Sequence, residues 1–88
     1  MILELYGVKD NVAGVFLPPV SFPARAVALR AFSTAVNSGD NNSLLSAYPK
    51  DASIYFVGTF DDKTGNIDSK CDFVVNCVDL LQEYKANV

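Results

Sequence analysis

Residues 21–39, SFPARAVALRAFSTAVNSG, limit what this chain can fold into more than any other stretch. From Ala24 to Ser38 there is neither glycine nor proline, and alanine, leucine and arginine are strong helix formers. Ser21 or Phe22 stands where the chain turns in. Pro23 falls in the first turn, where its missing N–H costs nothing. Gly39 is placed to close the helix in a left-handed conformation, with the polar loop Asp40-Asn41-Asn42-Ser43 after it. The spacing predicts a helix over about 22–38 whose core stripe is Leu29, Phe32 and Val36, flanked by Ala28 and Ala35. Arg25 lies near the margin of that stripe. Arg30 points away from it with Ser33, Thr34 and Asn37.

A single helix of this kind needs a surface to cover, and the rest of the chain supplies strands. Residues 2–8 alternate, with Ile2, Glu4 and Tyr6 on one side and Leu3, Leu5 and Gly7 on the other. Residues 12–17 read as a second strand, interrupted by Gly14 and ended by Pro18-Pro19. Residues 42–48 read as a loop or short helical turn, and Tyr48-Pro49-Lys50-Asp51 as a turn. SIYFVGTF, residues 53–60, is dense in β-formers and is followed by the turn DDKTG and a return strand from Asn66. Alternation puts Ile54, Phe56 and Gly58 on one face, and Tyr55, Val57 and Thr59 on the other. Residues 73–84 are ambiguous. Phe73-Val74-Val75 favours a strand, and the part from about Asn76 to Lys85 is assigned to a helix. The expected fold is α+β: a small antiparallel sheet, a central helix at about 22–38 packed on one face, and a short C-terminal helix over an edge or a dimer contact. Residues 1–88 form one domain.

Composition narrows the function classes. With 88 residues, half of them hydrophobic, the chain folds but sits near the size at which one core suffices, so a homo-oligomer, a dimer above all, is expected. Seven Lys and Arg against ten Asp and Glu, a net charge of −3, argue against coating nucleic acid by bulk electrostatics. No apolar run is long enough to cross a bilayer, and no secretion signal precedes the first strand pattern. On that compartment logic Cys71 and Cys77 are expected to be reduced thiols. No histidine is present. A zinc site from two sulfurs alone is not expected, and neither cysteine has a motif-placed base. Asp61, Asp62 and Asp68 do not match a calcium loop and read as turn chemistry. The chain is therefore expected to hold no metal or cofactor and not to be an enzyme.

Candidate binding residues remain. Arg25 and Arg30 are suited to phosphate contact, because guanidinium forks on a rigid helix match phosphate geometry. The ordinary alternative is a solvated helix charge. Lys9 and Lys50 flank turns and add positive charge. Tyr6, Phe16, Phe22, Tyr48 and Tyr55 form the pool of aromatics on which bases could stack, although an aromatic in a strand is most often core. Tyr6 and Tyr48 join the four cations as the candidate site.

Three blocks of the sequence resemble the small nonstructural protein of gokushovirus-type microviruses, a group of single-stranded DNA bacteriophages. They are MILELYGVKD, ARAVALRAFSTAVN and AYPKDASIYFVGTFDDKTGNI, in that order; residues 69–88 lie outside the resemblance. The most specific parts are Arg30-Ala31-Phe32, Tyr48-Pro49-Lys50-Asp51 and Phe60-Asp61-Asp62-x-Thr64-Gly65. The resemblance implies single-stranded DNA binding in the host cytoplasm, in the switch from duplex replication to single-strand synthesis and packaging. The charge favours a second expectation: an acidic, oligomeric factor that engages a phage or host replication protein without touching DNA.

Overall fold

The computed structural model describes residues 1–82. One antiparallel sheet is built on β1 (Ile2–Asp10), which pairs along its length with β4 (Ala52–Asp61), and β4 pairs in turn with β5 (Ile67–Asn76). The other side of β1 is met by a broken edge, β2 (Val15–Phe16) and β3 (Val20–Phe22). Lys9 opposes Phe16 and Tyr6 opposes Val20, so the register slips by one residue across Pro18-Pro19. Proline has no N–H to give a ladder and is tolerated at an edge, which is where the diproline lies.

The expected second strand over 12–17 shrinks to two residues because the Asp10 carboxylate captures its start. Val12 N and Ala13 N both donate to Asp10 Oδ1, and Gly14, at φ +74°, completes the turn. The helix α1 (Arg25–Val36) also begins later than expected. Ser21 and Phe22 are taken into the ladder with β1, opposite Leu5 and Glu4, so Pro23 ends an edge strand and Ala24 is the cap. Gly39 has φ +76°, the left-handed conformation its position called for.

One face of the sheet is covered. Ala28, Phe32 and Val36 of α1 are buried against Tyr6, Val8, Ala52 and Ile54, with Leu45 from α2 (Leu44–Ala47) and Cys77 closing the cluster. Phe32 and Val36 are buried as expected, and the stripe differs at one position only: the flanking Ala28 has no exposed surface, whereas Leu29 is half-buried. The Ala28 methyl is small enough to be enclosed completely between helix and sheet, and the larger Leu29 is turned to the flank.

The short C-terminal helix expected from Asn76 is not formed within the described residues. β5 runs through Asn76 because Phe73, Val75 and Asn76 stay opposite Tyr55, Ile54 and Ser53. A 3₁₀ turn, Cys77–Leu80, follows, and Leu81 is extended. This segment packs on the end of α1, clamped by Asn37, whose Nδ2 donates to Leu80 O (2.9 Å) and whose Oδ1 accepts from Gln82 N (3.0 Å). It also meets β4 and the end of β5. The part of the expected helix beyond residue 82 lies outside the described residues.

Candidate nucleic-acid interface

The face of the sheet opposite α1 carries a row of aromatic rings. Phe16 of β2, Tyr55 of β4 and Phe73 of β5 stand in line across three strands. Phe16 and Tyr55 are 5.1 Å apart between centroids and Tyr55 and Phe73 5.7 Å, both edge to face. Such pairs hold each other upright, since the positive ring edge meets the negative face. Phe16 and Phe73 keep 43 % and 55 % of their surface exposed. Lys9 of β1 lies among them, its Nζ 5.8 Å from the Phe16 centroid and 6.0 Å from that of Tyr55. A cation held over two rings keeps its charge toward solvent beside a stacking surface.

The register that lines up these residues depends on irregular pairings. On the β1–β4 ladder Leu5 opposes Gly58 and Tyr6 opposes Phe56, leaving Val57 as an extra residue; β5 compensates with two shifts against β4. As a result Gly7 and Phe73 both fall opposite Tyr55. Gly7 gives the row its depth, because Phe16 Cδ2 and Val57 Cγ1 lie 3.6 Å and 3.4 Å from where a Cβ would stand. At the end of the row Ser53 is buried but satisfied, accepting from Asn11 Nδ2 (2.9 Å) and donating to Asn76 Oδ1 (2.8 Å). That chain of hydrogen bonds ties the β1–β2 turn to β5 beside the aromatics.

The residues expected from sequence to form a site are divided between the two faces. Only Lys9 stands in the aromatic row. Tyr6, expected as a stacking surface, is 1 % exposed and belongs to the core, against Phe22 and Phe56. It cannot receive a base. Its hydroxyl donates to Glu4 Oε1 (2.7 Å) and accepts from Arg25 Nε (3.1 Å). Burial first, and then the Glu4 hydrogen bond, push the Tyr6 phenol above its ordinary range. The Tyr6 bond in turn raises the Arg25 guanidinium, which sits 5.8 Å and 5.7 Å from the Tyr6 and Phe56 centroids. Arg25 is therefore engaged on the helix-covered side, and Arg30, exposed, lies on α1 on that same side. Lys50 is exposed, and Tyr48, 61 % exposed, borders a hollow of about 300 Å³ lined with it by Asp10, Val12, Leu44 and Asp51, whose carboxylates oppose a phosphate.

Sequence reasoning held Phe16 and Tyr55 in its pool of aromatics and missed Phe73. The signal for Phe73 lay in β5 itself: Phe73-Val74-Val75 favours a strand, and only its register, which no local pattern gives, places Phe73 opposite Tyr55.

The sequence model of the phage ORF5 protein family matches residues 3–80. The chain belongs to the phage ORF5 protein family. The match takes in α1 and every strand except Ile2 at the start of β1, and it runs past Ser69, where the earlier resemblance stopped, to the 3₁₀ turn. The aromatic row and the arginines on α1 both fall within the phage ORF5 region. No curated protein and no solved structure matches the chain significantly. Among the described residues no helix is long and apolar enough to cross a membrane.

Proposed function

We propose that this phage protein binds single-stranded DNA across the open face of its sheet, in viral genome replication or packaging. Phe16, Tyr55 and Phe73 receive bases, and Lys9 meets the backbone beside them. The observation that carries this reading is the row of three mutually braced rings on an uncovered sheet with a cation among them. Bases on a single strand are free to stack on such a row, whereas bases inside a duplex offer it no face. The phage family supports the viral setting, and the gokushovirus resemblance supplies the stage of action.

This reading also accommodates the acidic charge. Stacking contributes about 1–3 kcal/mol per base and does not depend on net charge. Few phosphates are neutralised, so the affinity falls gently with salt, with a logarithmic slope of about −0.7 for each phosphate met. Fluorescence polarisation with a labelled single strand, run across a salt series, tests it. Tyr55→Ala is expected to weaken binding by about fivefold to a hundredfold, with Arg30→Ala changing little because it lies on the other side. Absence of binding at low salt in folded protein would refute it. The exposed apolar rings favour one rival specifically: the same face docks a replication protein. In that case Tyr55→Ala removes capture of the protein partner while single strands are bound by neither form.

A further inference from the structure

The two edges of the sheet are built differently. The β2/β3 edge is broken and carries Pro18-Pro19. The opposite edge is β5, ten residues long, hydrogen-bonded among the described residues to β4 alone, and exposed from Ile67 to Phe73. A row of backbone groups of this length is a template for another strand. We propose that two copies of this chain pair antiparallel along β5, about a two-fold axis through Cys71, to form one continuous sheet.

The charges on β5, together with the reach of its ladder, select that register. In a two-fold antiparallel pair, directly opposed residues share a face, so the axis passes beside a residue that meets its own copy. An axis at Lys70 opposes Lys70 to Lys70 and Asp68 to Asp72, all like charges. At Asp72 it opposes Asp72 to itself. At Ser69 it opposes Lys70 to Asp68 but runs the ladder into the hairpin turn at Asn66. At Cys71 it sets Lys70 opposite Asp72 twice and Ser69 opposite Phe73, all within β5, as far as the extra residue Val74, beyond which Val75 turns with Ile54 to the core face. Opposite charges across strands stabilise, and like charges there destabilise. The axis is perpendicular to the sheet, so both aromatic rows fall on the same side of the joined surface. The pairing itself is independent of DNA and stands or falls without it.

The register supplies its own probe. Directly opposed residues have Cα atoms about 4.5–5.5 Å apart, within the span of a disulfide. Cys71 is exposed, whereas Cys77 is buried and its thiol is pushed up to about 11, so mild oxidation acts at Cys71. Full-length protein is expected to sediment as a dimer and to form a disulfide-linked dimer rapidly, with Cys77→Ala behaving alike and Cys71→Ser losing the link. Asp72→Lys sets lysine against lysine and is expected to weaken the dimer by about tenfold or more. The exchange Lys70→Asp with Asp72→Lys restores it. Lysine and an irregular pairing are also means by which edges are kept from joining. A monomer at all concentrations, or a dimer indifferent to both charge variants, assigns β5 to that protective role and overturns the proposal.

Discussion

Gly7 faces Tyr55 across the β1–β4 ladder, and the Phe16 ring lies over the space that a Gly7 side chain would fill. A Cβ there would meet Val57 Cγ1 at 3.4 Å and Phe16 Cδ2 at 3.6 Å, ordinary contact distances. Gly7→Ala is therefore expected to fold normally, with stability unchanged or raised by about 0.5–1 kcal/mol through loss of chain entropy in the unfolded state. Gly7→Val adds two branches that the space does not hold and displaces Phe16. It is expected to keep the fold and lower single-strand affinity. Thermal melting beside polarisation titration checks both, and equal affinity for glycine and valine would separate Phe16 from the binding surface.

Gly58 has the opposite character. Its φ of +147° is open to glycine, and a Cβ would clash with Asp68 O in β5. Backbone, not a movable side chain, is in the way. Gly58→Ala is expected to cost about 2–4 kcal/mol, combining strained backbone with separation of β4 from β5. A urea titration measures this. The pairing of Tyr55 with Phe73 depends on the same irregularity, so affinity should fall even where the variant still folds.

The phase of α1 gives a further test. Phe32→Ala is expected to cost about 3–5 kcal/mol, much of the stability of a domain this small. Leu29→Ala, at a half-buried flank, should cost far less, and Ala28→Leu should overpack the helix against the sheet by about 1–3 kcal/mol. Equal losses at Leu29 and Phe32 would restore the stripe that spacing alone suggests. Denaturant midpoints for the three variants decide it.

Much of the α+β fold was legible because its signals are local. The run free of glycine and proline gave α1, and the alternation in SIYFVGTF put Ile54 in the core and Tyr55 on the other face. What was hidden depends on partners far along the chain. Phe22 reads as a helix entry until β1 offers it a ladder, and Asn76 reads as a helix start until its pairing with Ser53 keeps it in β5. Ala28 and Leu29 are equally placed by periodicity, and only the closeness of the sheet separates them. The candidate site suffered most. Charge drew attention to Arg25 and Arg30, while the aromatic row joins residues from β2, β4 and β5 whose register rests on bulges that no spacing rule reveals.

Cys77 and Tyr6 together set the alkaline limit of the fold. Burial pushes the Cys77 thiol up from 9.0 to about 11, and burial with the Glu4 hydrogen bond raises the Tyr6 phenol above 10.0. For a group that is neutral when protonated, a raised folded value means the folded state holds the proton more tightly. That contribution is fully present below the unfolded value and is lost as pH rises through the folded one. Stability is thus expected to be flat from neutral pH to about 9 and to decline from there to about 11 through Cys77, with Tyr6 adding to the decline above 10.0. Cys77→Ala should delay the onset of the decline, and Tyr6→Phe, at a cost of about 1 kcal/mol for its lost hydrogen bonds, should remove its upper part. Thiol titration at pH 8 supplies the independent check: exposed Cys71 reacts at once, and Cys77 only after denaturant is added. Rapid reaction of both thiols in the native protein would mean that the 3₁₀ turn opens freely from α1, and the alkaline decline would then have to be assigned to Tyr6 alone.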